Sequence, residues 1–240
     1  MKKIIYTAQS RGSANHGWLR SHFYFSFSEY YNPSRIHFGA LRVINDDIIQ
    51  PEMGFGTHPH ENMEIITIPF TGNLSHKDSM GNSSIIKSGD IQVMSAGIGI
   101  QHSEWNNDKT LPITLFQIWI YPNKRNVNPR YQQLAIRDLV IENEFSQILS
   151  PNESDNGVWI YQDAWMNLGT FIHANSKTYN LHSPENGLFA VIISGNAKIA
   201  NTDLQTRDAI GIWETDTVEI EANDNTQILL IEVPMNFTIS

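Results

Sequence analysis

The 240-residue sequence contains no cysteine. Disulfides, thiolate metal sites and cysteine nucleophiles are therefore excluded, and the absence fits a reducing compartment, so a cytoplasmic location is expected. Positive charge is also scarce. Sixteen Lys and Arg stand against 25 Asp and Glu, a formal net charge of -9, and no basic run exceeds the pairs Lys2-Lys3 and Lys124-Arg125. Direct binding of nucleic acid is not expected from such a chain. No apolar stretch approaches the roughly 20 residues that span a bilayer, so no membrane association is expected. The opening Lys2-Lys3-Ile4-Ile5 breaks off at Tyr6-Thr7 with no cleavage signal behind it, and reads as a first β-strand rather than a leader peptide. Helical periodicity is nearly missing too. Only Arg130–Ile136 hints at a short helical turn.

What remains is strand. Short runs rich in β-branched and aromatic residues recur at Ile36–Ile44, Met63–Phe70, Ile91–Met94, Thr114–Ile120, Val158–Tyr161, Leu168–His173, Leu188–Ile193, Thr217–Glu221 and Gln227–Val233. Gly, Asn, Asp and Ser punctuate them, as in Thr71-Gly72-Asn73 and Ser194-Gly195-Asn196. This pattern predicts an all-β sandwich or barrel. A Pro- and Asn-rich stretch over 122–129 places a boundary near 128, giving an N-terminal domain over 1–128 and a C-terminal domain over 129–240. Each half carries a strand, a Gly-Asn turn and a second strand near its middle, which hints at a duplicated unit.

Three of the nine histidines form a pattern. His58 and His60 are two apart, and so are His102 and Glu104. Alternate residues of a strand face one way, so each pair can aim two donors into one cavity. Pro59 would then face outward and mark an edge or a bend. Three imidazoles and one carboxylate suit a divalent first-row metal, and an octahedral ion held by four protein ligands keeps two positions open for chemistry. The Gly97 and Gly99 turn before His102 supplies the flexible backbone such a return needs. Glu64, four residues after His60, competes for the carboxylate role or orients a histidine from behind.

The strings GTHPHENMEI, DSMGN, GDIQVMSAGIGIQHSEWN and LFQIWI, with NHGWL, FSFSEYYNP and ALRVINDD before them, resemble the pirin family of the cupin superfamily, densely over about residues 10–122 and closest to its bacterial members. One departure from the general cupin pattern is visible: Ser95 stands where a proline is usual, and four residues separate Gly97 from His102, a longer turn that pirin-like sequences share. The resemblance implies a bicupin, two tandem double-stranded β-helix (jelly-roll) barrels. It implies one divalent transition metal, typically Fe(II), in the first barrel only, on His58, His60, His102 and Glu104; Zn, Ni, Cu, Mn or Co could take the same ligands. It further implies a quercetin 2,3-dioxygenase-like oxidoreductase that opens a flavonol ring with dioxygen, with Glu104 as the general base. The alternative it carries is a metal-bearing, redox-sensing module that works by contact with a protein partner.

Several further expectations follow. The C-terminal half offers His173 and His182 but no H-x-H and no H-x-E, so its barrel should lack metal. Met53, Phe55, Met94, Trp105 and Phe116 could line a pocket for a flat aromatic ligand or fill the core. His76 and Asp78 read as polar loop residues, and His16 ties down the N-terminal segment rather than ligating. Two barrels in one chain supply the pairing that single-barrel cupins obtain by dimerising, so a monomer is expected.

Overall fold

The structure is a computed structural model and describes residues 1–238. It is 58% strand and 3% helix, and twenty-two strands run through the described residues. In the first half these are β1 (Lys2–Tyr6), β2 (Gly12–Asn15), β3 (Leu19–Phe23), β4 (Leu41–Ile49), β5 (Gly54–His60), β6 (Glu64–Thr71), β7 (Asn73–Asp78), β8 (Ser83–Lys87), β9 (Asp90–Ser95), β10 (Ile100–Asn106) and β11 (Ile113–Ile120). The second half holds β12 (Arg130–Ala135), β13 (Phe145–Ser150), β14 (Val158–Trp159), β15 (Trp165–Phe171), β16 (Asn175–Asn180), β17 (Asn186–Ser194), β18 (Asn196–Ile199), β19 (Thr202–Gln205), β20 (Ala209–Trp213), β21 (Thr217–Ala222) and β22 (Thr226–Pro234). No helix among the described residues is long and apolar enough to cross a membrane.

The strands make two barrels of matching design. The first pairs a seven-stranded sheet, β12-β9-β6-β11-β4-β3-β2, with a four-stranded one, β5-β10-β7-β8. The second pairs β1-β20-β17-β22-β15-β13-β14 with β16-β21-β18-β19. The duplication hinted at by the turns is real at the level of strand order.

The halves do not separate at 128. β1 crosses to the second barrel and pairs with β20, while β12 crosses back and pairs with β9 in the first. Each barrel thus borrows its edge strand from the other half of the chain. Arg130–Ala135 is accordingly a strand, not the short helix its sequence hinted at, because β9 offers it a full ladder of partners. The helical tendency survives only as the single 3-10 turn Ile136–Asp138. The strand expected over Ile36–Ile44 is shifted: Gly39 turns the chain with φ +52, and β4 begins at Leu41.

The two seven-stranded sheets pack face to face. Their meeting surface is the largest apolar cluster and mixes both halves: Ile44, Ile66, Phe116 and Ile118 from one side, Phe189, Val191, Leu229 and Ile231 from the other. The other face of each large sheet lines its own barrel. The second barrel is filled by one continuous cluster, including Leu188, Ile192, Ile210, Ile220 and Leu230. The first is different. Its interior splits into two small apolar clusters, one around Leu74, Ile86 and Leu115 and one around Ile65, Met94 and Ile100.

Candidate metal centre

Between those two clusters the first barrel is polar. Asn45, Asp47, Thr67, His76, Gln92, His102, Glu104 and Gln117 are all buried. Such a layer is expensive to bury, so its composition calls for a reason.

The reason lies where β5 and β10 pair. His102 sits opposite His58 on one side and Asp78 on the other, and Glu104 sits opposite His76. β5 is an edge strand, and Pro59 points to solvent, as a residue with no N–H to donate requires. A register shift between His102 and Glu104 marks a bulge on this pair. The imidazoles of His58, His60 and His102 meet with ring centroids 4.4 to 4.9 Å apart. Their ligand atoms all lie within 4.8 Å of one another. A second group, His76, His102 and Glu104, meets the same limit. The four expected ligands therefore lie in two overlapping triads that share His102, rather than in one set of four.

Hydrogen bonds sort the nitrogens. His58 Nδ1 lies 2.8 Å from the Gly56 carbonyl, which can only accept, so Nδ1 carries the proton and Nε2 offers its lone pair. His102 is buried, and neither of its ring nitrogens has a hydrogen-bond partner. An imidazole in that condition loses solvation and gains nothing unless something else takes its lone pair. Burial, with the neighbouring imidazoles, holds the His102 pKa down at about 2, and burial with His58 holds His60 at about 4. Both rings are neutral at pH 7, the form that ligates. Glu104 accepts from Gln117 Nε2 at 2.8 Å and Thr67 Oγ1 at 3.4 Å, yet its burial pushes the carboxyl up to about 7. A cation beside it would draw that value back down. The donor set fits a divalent first-row ion.

His76 was misjudged from sequence. It is no loop residue: it sits on β7, buried, with its Nε2 3.3 Å from Asp78 and its ring 5.3 Å from His102. Asp78 ends that strand and organises the following turn, accepting from the Met80 and Asn82 amides and from Asn82 Nδ2. The signal was available in the alternation of Leu74, His76 and Asp78 along one face.

Glu64 takes a structural role, away from the histidines it was expected to join or orient. The chain breaks between His60 and Glu64, and β6 starts afresh with Glu64 turned to the other barrel. There it accepts from Ser95 Oγ at 2.6 Å and feels the Arg130 charge, while burial holds its carboxyl at about 7. It belongs to neither triad. Of the aromatic-pocket candidates, Met94 and Phe116 are wholly buried in core clusters. Met53, just before β5, and Trp105, on β10, are exposed, and Phe55 packs against His58 and Trp18. Trp119, not foreseen, lays its edge on His60 at 5.0 Å. His16 is exposed in the β2–β3 turn.

The second barrel shows what the layer becomes without such a site. The turns Gly72-Asn73 and Gly195-Asn196 align the two registers. Ile199 pairs with Ile220 where His76 pairs with Glu104, and Val218 takes the place of His102. Thr67, Gln92 and Gln117 likewise become Ala190, Ile210 and Leu230. His182 lies at the rim, stacked on Trp165 and bonded to the buried Glu232.

Known proteins share this arrangement. The Pirin family profile matches residues 5–120, and that of the quercetinase C-terminal cupin domain matches 147–233. A quercetin 2,3-dioxygenase of Escherichia coli strain K12 is 39% identical over 227 residues, covering 95% of this chain and 96% of the relative. The crystal structure of YhhW from Escherichia coli superposes with a TM-score of 0.93 at 36% identity, covering 99% of this chain and all of that one. The bacterial pirin YhhW has also been solved in complex with nickel(II), with a TM-score of 0.92 over 97% of this chain and 99% of that one. With two barrels of one design, a histidine cluster in the first and this degree of identity along nearly its whole length, the chain belongs to the pirin family.

Proposed function

We propose that the chain is a metal-dependent dioxygenase that opens the ring of a flavonol-like substrate, with its metal on His58, His60, His102 and Glu104. The observation that carries this reading is His102, buried among two other imidazoles with both ring nitrogens unpaired. Kinship with a relative named quercetin 2,3-dioxygenase supports the substrate class. A divalent metal such as Fe(II) would supply Lewis acidity and access to dioxygen.

The residues do the rest. His58 keeps its Nε2 free by donating Nδ1–H to Gly56. Glu104, its carboxyl drawn down by the cation beside it and so ionised, takes the proton from the substrate's enolic hydroxyl as general base, and Gln117 holds it in place by its amide. Trp119 and Phe55 flank His60 and His58 and set flat apolar walls beside them. His76, behind His102, orients that ring or substitutes for a displaced ligand.

The test is quercetin-dependent oxygen uptake and carbon monoxide release by the Fe(II)-loaded full chain, with His102→Ala beside it. The account expects the two gases in equal amounts and no turnover in the variant. A wild type that binds metal but consumes no oxygen sinks the dioxygenase reading and favours a metal-bearing interaction module.

A further inference from the structure

Away from the histidines, a cleft of about 560 Å³ opens between the two seven-stranded sheets. It shares no residue with the metal triads. Its walls are apolar, with Ile68 and Phe70 from β6, Ile193 from β17, Leu229 from β22, and the half-buried Val140. Among the described residues lining it are two arginines, Arg137 and Arg207, and no acidic residue. Arg137 is exposed and paired with Asp138 at 3.7 Å, which leaves Arg207 as the cation that marks the cleft.

Arg207 is held there by its backbone. It adopts φ +69, a conformation a long side chain rarely takes. Its amide donates to Ile192 at 2.7 Å and its carbonyl accepts from Tyr24 Oη at 2.7 Å. The guanidinium lies over Phe70 and Phe116, 5.1 and 4.9 Å from the ring centres. Among the described residues its one ion pair is with Asp46, at 3.3 Å, and Asp46 is already bonded to Arg11 at 2.8 Å. Two cations thus share one carboxylate. Nη1 of Arg207 is buried with no hydrogen-bond partner, while 22% of the side chain stays exposed to the cleft, so the guanidinium meets a ligand through its exposed edge. A guanidinium with spare donors, against aromatic faces and in an apolar cleft, is built to receive an anion attached to an apolar body.

We propose that this inter-barrel cleft is a binding site for a small amphipathic carboxylate, an apolar body of one or two rings whose carboxylate pairs with Arg207. The volume suits a ligand of that size. The site is separate from the metal centre and does not depend on what the metal centre does.

The experiment is calorimetric titration of the metal-loaded full chain with 2-naphthoate and, in parallel, with the uncharged 2-naphthamide. The expected result is one saturable naphthoate site per chain, with naphthamide weaker by about tenfold, the scale of one charge-assisted hydrogen bond. Arg207→Gln should bring naphthoate down to the naphthamide level. Val140→Trp, which adds bulk to the lining without removing the charge, should abolish both, and His102→Ala should change neither. Circular dichroism confirms that each variant is folded, and metal content does so for Arg207→Gln and Val140→Trp, whose metal centre is intact. No saturable binding, equal binding of acid and amide, indifference to Arg207→Gln, or loss in His102→Ala would each overturn the proposal.

Discussion

Replacing His102 with valine should make the metal-free protein more stable. The imidazole is 2% exposed and both nitrogens are unpaired. A buried polar group without a partner costs about 1–3 kcal/mol. Valine removes that cost, and the second barrel already holds Val218 at the matching position. The lost ring volume takes back on the order of 1 kcal/mol as a small cavity. The balance is a gain of up to about 2 kcal/mol, or up to roughly 8 °C in Tm for a chain of this size. Metal reverses the order. At about a hundredfold excess over Kd the wild type gains about 2.7 kcal/mol from the ion and the variant gains none. Thermal unfolding of both proteins, chelated and then loaded, reads the four values directly. If the chelated variant is less stable than wild type by about 1 kcal/mol or more, the scale of a lost structural contact, His102 supports the barrel rather than a metal. If metal stabilises both proteins alike, the ion sits elsewhere.

Other outcomes follow from the same geometry. Glu64 has its carboxyl raised from 4.5 to about 7, so its unfolded form ionises first as pH rises. Across that window wild type should lose roughly 3 kcal/mol relative to Glu64→Gln, measured as the difference between their urea midpoints at each pH; a slope of opposite sign would refute the buried-acid assignment. Gly97 has φ +48, and a Cβ there would press on the Val127 carbonyl oxygen. Gly97→Ala should cost about 2–4 kcal/mol in urea unfolding, and a neutral result would contradict the turn geometry. His76→Ala should keep one metal per chain but weaken its affinity by about 10–100-fold, the usual effect of removing a group behind a ligand; unchanged affinity in a competition titration would confine His76 to packing.

The two histidine-bearing pairs could be read from the sequence because a strand puts alternate residues on one face, and nothing between them needed knowing. Glu64, Met94 and Phe116 could not be placed in the same way. Each lies on a strand of the seven-stranded sheet, buried on both faces, one against the barrel interior and one against the other barrel. Alternation says which residues share a face, but two buried faces look alike in composition. Glu64 thus fell on the inter-barrel side with Arg130, and Phe116 under Arg207. The exchange of β1 and β12 was hidden for a related reason. Pairing across more than a hundred residues leaves no local mark, and Lys2–Tyr6 and Arg130–Ala135 have ordinary edge-strand sequences. The missing H-x-H and H-x-E of the second half were legible, and Val218 and Ile220 stand there where His102 and Glu104 stand in the first barrel.

The most direct test of the central claim is an anomalous-difference map from a crystal of the metal-loaded full chain, collected at the absorption edge of the loaded ion. The account predicts one peak per chain, about 2.0–2.2 Å from nitrogens of His58, His60 and His102 and an oxygen of Glu104. A peak in the second barrel, or one ligated by His76 with Glu104 out of reach, would contradict it.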